Sequence, residues 1–234
     1  MDEEKKKRDY ILPVSIVIAA LLISLSLFYS VGKKEEHPPS KEANQLQTLP
    51  VIKPVTQDDH ILGDPRAKIV VVEYADLECP FCKAFHNTMK ELLSLYQSKM
   101  ALVYRHYPLE EIHSKARNEA EASECAASLG GETAFWSFVD RLFMITPSNN
   151  NLDPAELPKI AQYIGLDTGA FSPCLKNRTF RDKVQRYVDD GNAIDMKSRG
   201  TPFSIVLVDG VEKQSISGAL PFDTLKAYFD TLVR

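Results

Sequence analysis

A chain of 234 residues, 44% apolar and 26% charged, has the length and the apolar content for one good core. That balance excludes wholesale disorder, a collagen-like repeat and a disulfide mini-scaffold. With 28 Lys and Arg against 32 Asp and Glu, a formal net charge of −4, there is no global basic field of the kind that draws a protein to nucleic acid, so no nucleic-acid partner is expected.

From Tyr10 to Gly32 no residue is charged, and Ile11 to Val31 is almost wholly apolar, close to the roughly 20 residues that span a bilayer. Lys5, Lys6, Lys7 and Arg8 precede it, so by the positive-inside rule the N-terminus stays in the cytoplasm and everything after Val31 lies outside. Residues 1–32 therefore read as a short cytoplasmic N-terminus and an uncleaved transmembrane anchor. A cleaved signal peptide is the alternative, disfavoured by the segment's length and by the poor cleavage site Ser30-Val31-Gly32. Either way the bulk of the chain is expected outside the cytoplasm, periplasmic or at the cell surface, and under the anchor reading it is held at the membrane by a single pass. Residues 33–56 are polar and dotted with prolines, and read as a flexible linker in which His37 is simply solvated.

Lys68 to Tyr74 is a continuous β-branched run, as in a strand buried on both faces. Ala75 to Glu78 and Cys79-Pro80-Phe81-Cys82 follow, then a helical pattern with Phe85, Met89, Leu92, Leu93 and Tyr96 on one side, then a strand from Ala101 to Tyr107. This is a βαβ unit. From His113 to Arg199 helical periods take over, with a helix start at Asp153-Pro154-Ala155-Glu156 and one long helix through Phe180, Val184, Tyr187, Val188 and Ile194 that closes near Gly200. Phe135, Trp136, Phe138 and Phe143 sit at helical spacing and read as core. Phe203 to Val208, Asp209-Gly210 and Glu212 to Ser217 form a hairpin, and an amphipathic helix from Phe222 to Leu232 follows. The expected class is α/β, ordered as βαβ, a helical block, then ββα.

A cysteine at the start of a helix meets unpaired N–H groups and the positive end of the dipole, so its thiolate is stabilised. Cys79 is the expected nucleophile, and Cys82, one turn further in, the thiol that resolves a mixed disulfide. The alternatives are an inert pair or a zinc site. For zinc, His86 supplies at most one of two missing ligands, so no metal is expected; His86 itself reads as a helix-surface residue.

The stretch Val72-Glu-Tyr-Ala-Asp-Leu-Glu-Cys-Pro-Phe-Cys82, followed much later by Gly200-Thr-Pro-Phe203, resembles the DsbA-type thiol:disulfide oxidoreductases over about residues 57–234. The resemblance implies a thioredoxin-like fold at 57–112 and 200–234, with a helical insertion at 113–199. It also implies a cis-proline loop facing the dithiol, in which Pro202 matches the proline and Thr201 the residue before it. Pro80 and Phe81, between the cysteines, support the site. Histidine is frequent in the family where this chain has Phe81, and Phe can neither hydrogen-bond a thiolate nor bring positive charge to it. Asp76 and Glu78 add negative charge nearby. Both features imply a less oxidising disulfide.

Glu73 lies in an apolar strand six residues before Cys79, where an unpaired carboxyl has a raised pKa and can shuttle a proton for Cys82. The family often carries an acid there. The alternative is that Glu73 reaches solvent or pairs with a lysine. Cys125 and Cys174, without Cys-x-x-Cys spacing, read as one structural disulfide in an oxidising compartment, with two free cysteines or a second redox relay as the alternatives.

The resulting expectation is a membrane-tethered oxidoreductase, needing no cofactor, that passes its Cys79–Cys82 disulfide to exported proteins with cysteines. The family implies reoxidation by a quinone-linked membrane protein, DsbB-like or vitamin K epoxide reductase-like. A reductase or isomerase is one alternative. A non-catalytic thioredoxin-like module that holds unfolded substrates or a membrane transporter is the other.

Overall fold

The computed structural model describes residues 49–233; the anchor, His37 and the linker up to residue 48 lie outside the described residues. Among the described residues no helix is long and apolar enough to cross a membrane.

The elements run β1 (His60–Gly63), β2 (Ile69–Ala75), α1 (Pro80–Tyr96), β3 (Met100–His106), α2 (Ala116–Ile145), α3 (Glu156–Tyr163), α4 (Thr168–Lys176), α5 (Arg181–Ala193), α6 (Met196–Arg199), β4 (Phe203–Val208), β5 (Val211–Ser217) and α7 (Phe222–Leu232). The sheet order is β1-β3-β2-β4-β5. Among the described residues only β2 and β3 pair in parallel, as the βαβ crossover requires. β2 and β3 are buried on both faces, which is why they read as unbroken apolar runs.

On one face Ile69, Val71, Leu102, Tyr104 and Val206 meet Phe85, Met89 and Leu92 of α1 and Leu225 and Phe229 of α7, and this core continues into Phe135, Phe138 and Leu142 of α2. On the other face Val70, Val72, Tyr74, Val103 and Ile205 meet Ile52, Ile194 and Met196. Ile52 corrects part of the linker reading. It is buried, its N–H donates to Glu212 Oε1 (3.0 Å), and the Lys53 and Pro54 carbonyls accept from Arg105 Nη2, so this stretch is fastened to the sheet.

Two other expectations shift, and one strand has no counterpart among the expected elements. β1 is an edge strand of four residues, too short for a period-2 signal. The long helix expected to close near Gly200 stops at Ala193; Asp195 turns left-handed (φ 60°) and the one-turn α6 follows. The start expected at Asp153 is a capped turn, with Asp153 Oδ1 accepting from Ala155 N–H (2.9 Å) and the helix proper beginning at Glu156. The hairpin turn is as its residues demand, with Asp209 (φ 52°) and Gly210 (φ 76°) both left-handed. Gly131 (φ 70°) kinks α2 midway.

Candidate active site

β2 hands over to α1 at the dithiol. Cys79 is the N-cap residue of α1, extended at φ −79° and ψ 123°, and Pro80 follows in the first turn, where a missing N–H costs nothing. The first helical bond runs from Lys83 N–H to the Cys79 carbonyl (3.1 Å). Both cysteines are free thiols. Cys82 is fully buried and Cys79 is only 4% exposed, so the helix tip is less open than its position in sequence implies. The reason is the loop before β4: Cys79 Sγ lies 3.5 Å from the Thr201 carbonyl, and the Thr201–Pro202 peptide is cis. Both residues between the cysteines, Pro80 and Phe81, are exposed, Phe81 at 64%.

The two thiols are driven apart. Hydrogen bonding to Cys82 is the largest cause lowering Cys79 from the usual 9.0 to about 6; burial opposes it, and the Cys82 and Phe81 backbone and the Thr201 side chain reinforce it. Thr201 Oγ1 is buried with no fixed partner among the described residues, so its hydrogen is free to turn toward the thiolate. Cys82 is pushed well above the ordinary thiol range, first by burial, then by its bond to Cys79 and by the charges of Cys79 and Glu73. A bond from Asp76 N–H to Cys82 Sγ (3.4 Å) offsets part of that. At neutral pH the pair is therefore a Cys79 thiolate beside a Cys82 thiol.

Glu73 neither reaches solvent nor pairs with a lysine. It is 1% exposed and sits opposite Tyr104 on β3 and Ser204 on β4. Among the described residues neither Glu73 oxygen, nor Tyr104 Oη, nor Ser204 Oγ has a hydrogen-bond partner. Burial, then the Cys79 charge, raises the Glu73 carboxyl to about 8.

Asp76 and Glu78, read from sequence only as negative charge, are acceptors that shape the turn. Asp76 accepts from Glu78 N–H (2.7 Å) and Leu109 N–H (2.7 Å) and pairs with His113 Nδ1 (2.8 Å). Leu109 and His113 lie 33 and 37 positions away and left no local signal. Ser204, a lone hydroxyl in an apolar strand, is the one missed residue that the sequence could have flagged.

His86 is not on the helix surface. It is buried, Nε2 lies 2.7 Å from Asp140 Oδ1, and its ring lies among Trp136 and Phe143, joining α1 to α2. Among the described residues no group of three or more His, Cys, Asp or Glu is arranged to hold a metal ion. Cys125 and Cys174 form a disulfide between α2 and α4.

The family model described as thioredoxin matches residues 55–230. The chain belongs to the thioredoxin family. Among solved structures, this thioredoxin-family chain is similar to Pseudomonas aeruginosa DsbA2, 29% identical, with a TM-score of 0.62 over 74% of this chain and 94% of that one. BdbD from Bacillus subtilis shares the fold at a TM-score of 0.65, covering 77% and 95%, with 20% identity. The DsbA-type resemblance thus holds in three dimensions as well as in the residues around Cys79. Among curated proteins, a Na(+)/H(+) antiporter NhaA 3 from Salinispora tropica is 34% identical over 196 residues, 81% of this chain. The chain spans only 28% of the length of that relative.

Proposed function

We propose that this chain is an extracytoplasmic thiol:disulfide oxidoreductase that introduces disulfides into exported proteins, held at the membrane by the apolar segment 11–31. The observation that carries the reading is the opposed pair of thiols: a stabilised Cys79 thiolate at the start of α1 and a buried, protonated Cys82 one turn inside. A substrate thiolate attacks Cys79 Sγ of the Cys79–Cys82 disulfide, and Cys82 leaves, taking a proton from Glu73. A second substrate thiolate attacks the substrate sulfur of the mixed disulfide and releases Cys79 as thiolate. The substrate loses two electrons and two thiol protons, and Glu73 is reprotonated from solvent. Thr201 and Pro202 flank the reacting sulfur, while Phe81 presents an apolar surface beside it.

Cys79 at about 6 is a good leaving group, which favours the oxidising direction. Reduction is the same chemistry reversed, against a substrate disulfide more oxidising than this pair; isomerisation starts from the Cys79 thiolate and ends with it released again, with no net electron transfer. Regenerating the disulfide needs an electron acceptor, assigned here to a quinone-linked membrane protein, DsbB-like or vitamin K epoxide reductase-like. A second reading, a thioredoxin-like module serving a membrane transporter, is favoured by the match to an antiporter.

Cys82→Ala separates the two. On the oxidoreductase reading it accumulates mixed disulfides through Cys79, and the unaltered protein equilibrates with glutathione and oxidises a dithiol peptide. No captured substrate and no exchange with glutathione would leave the module standing.

A further inference from the structure

Glu78, the residue before Cys79, is completely buried and held on nearly every side. Its N–H donates to Asp76 Oδ1 (2.7 Å), its carbonyl accepts from Asn149 N–H (2.9 Å), and its Oε2 accepts from Asn150 N–H (2.6 Å). Those two amides belong to a loop in which Ser148, Asn149 and Asn150 are all left-handed (φ 64°, 54° and 65°), a backbone that side chains other than glycine adopt only when their surroundings hold them there. Glu78 Oε1 alone is left over. No amide, hydroxyl or cation among the described residues reaches it, and the same is true of Oε2 of Glu119, a residue of α2 that is itself 2% exposed. The Glu119 and Glu78 carboxyls lie within hydrogen-bond reach of each other; buried, and each with an orphaned oxygen, they cannot both be ionised, but one shared proton makes each the partner of the other.

We propose that Glu119 is a positioning residue: its protonated carboxyl donates a hydrogen bond to Glu78 and thereby fixes the turn that carries Cys79. The charged groups acting on Glu119 are Glu78 and Asp76, which keep it protonated, and Lys115, which opposes them. Lys115 Nζ donates to the Leu152 carbonyl (2.7 Å). Burial first, then the bond to Glu78, raises Glu119 to about 10, so it remains a donor through the range in which the dithiol works. Through Glu78 it braces both the 148–150 loop and the backbone between Asp76 and Cys79. It touches neither sulfur nor substrate.

This inference rests on the oxidoreductase reading only for what the positioning serves, and it is tested on the full chain with readouts of its own. Near pH 9, between the values of Glu73 and Glu119, Glu73 is ionised and Glu119 is not. Infrared spectra of the wild type there should show a protonated carboxyl band that Glu119→Gln removes. Glu119→Gln retains an N–H donor, so it should preserve hydrogen-exchange protection at the Asn149 and Asn150 amides and the Cys79 thiolate absorbance titration. Glu119→Ala, which has no donor, should lose at least about tenfold in that protection, and its Cys79 titration should move up toward the ordinary thiol range. A wild-type spectrum without the band, a Gln variant as perturbed as Ala, or an Ala variant identical to wild type would each overturn the proposal. If Glu119→Ala does not fold, the band and the Gln variant still decide. Failure of the wild type to exchange with glutathione would count against the oxidoreductase reading and leave these outcomes unchanged.

Discussion

Adjacent residues on the two central strands face opposite sides of the sheet, and their surroundings could hardly differ more. Tyr74 and Arg105, on one face, are saturated. Arg105 donates to both Asp59 oxygens (2.8 and 3.1 Å), to Asp190 Oδ2 (3.0 Å), to Tyr74 Oη (3.0 Å) and to two carbonyls, while Tyr74 Oη donates to Asp190 (2.7 Å). Glu73 and Tyr104, one residue earlier on each strand, face the dithiol, and among the described residues their polar side-chain atoms have no partner. A buried polar network that is complete locks a structure, whereas one left incomplete is costly and can persist where protons must move. The cysteines repeat the contrast, with Cys125 and Cys174 joined and Cys79 and Cys82 free.

The contrast breaks most visibly if the saturated side is opened. Arg105→Met leaves Asp59 buried without its cation and Asp190 with only Lys53 Nζ (3.7 Å), and should cost about 3 to 5 kcal/mol in urea unfolding while the Cys79 titration of the folded protein stays in place. A Cys79 pKa that moved with it would show that the two faces are coupled. Replacing Cys125 and Cys174 with Ser releases a loop with a sequence separation of 49 and should lower stability by about 4 kcal/mol in the chain-entropy model, with dithiol exchange still measurable. Loss of exchange in a folded double variant would deny that division between the pairs.

On the incomplete side, Glu73→Gln should slow reduction of the Cys79–Cys82 disulfide by about 100-fold at neutral pH, read by stopped-flow exchange with a dithiol peptide, because no group remains to protonate Cys82. The same variant sharpens the comparison through stability. Glu73 is raised in the folded state from the usual 4.5 to about 8, so the folded protein binds a proton that the unfolded chain releases. Its stability should therefore fall as pH rises through that window, by up to about 1.4 kcal/mol per pH unit, and Glu73→Gln should remove this slope. An unchanged slope would mean that Glu73 does not carry the proton. The smallest effect belongs to Thr201→Val, which removes the hydroxyl near Cys79 and should raise its pKa by less than about one unit in an otherwise native protein, measured by thiolate absorbance. No shift at all would assign the whole lowering to the start of α1.

The order of strand, dithiol and helix was legible because each element advertises itself over a few residues. β2 is a β-branched run, α1 repeats apolar residues at helical spacing, and Asp209-Gly210 is a turn by composition. Cys79 at a helix start and the isolation of Glu73 in an apolar strand followed from the same local reasoning. His86 was misjudged because the face it occupies on α1 is covered by Asp140, Trp136 and Phe143, more than forty residues away. β1, the break at Asp195 and the fastening of Ile52 depend in the same way on what lies across from them.

The sequence by itself determined which groups are present and where along the chain each element begins: two thiols one turn apart, an acid beneath them, and an α/β frame to carry them. It could do so because helical and strand periods and the chemistry of a helix start are properties of neighbouring residues. Only the tertiary structure decided which polar groups find partners. It pairs Arg105 with Asp190 across 85 positions, brings the Thr201 carbonyl to Cys79 across 122, and leaves Glu73 alone between two other unpartnered hydroxyls. Pairing in a low-dielectric interior depends on distances of a few ångströms between residues far apart in the chain, and no local pattern encodes them.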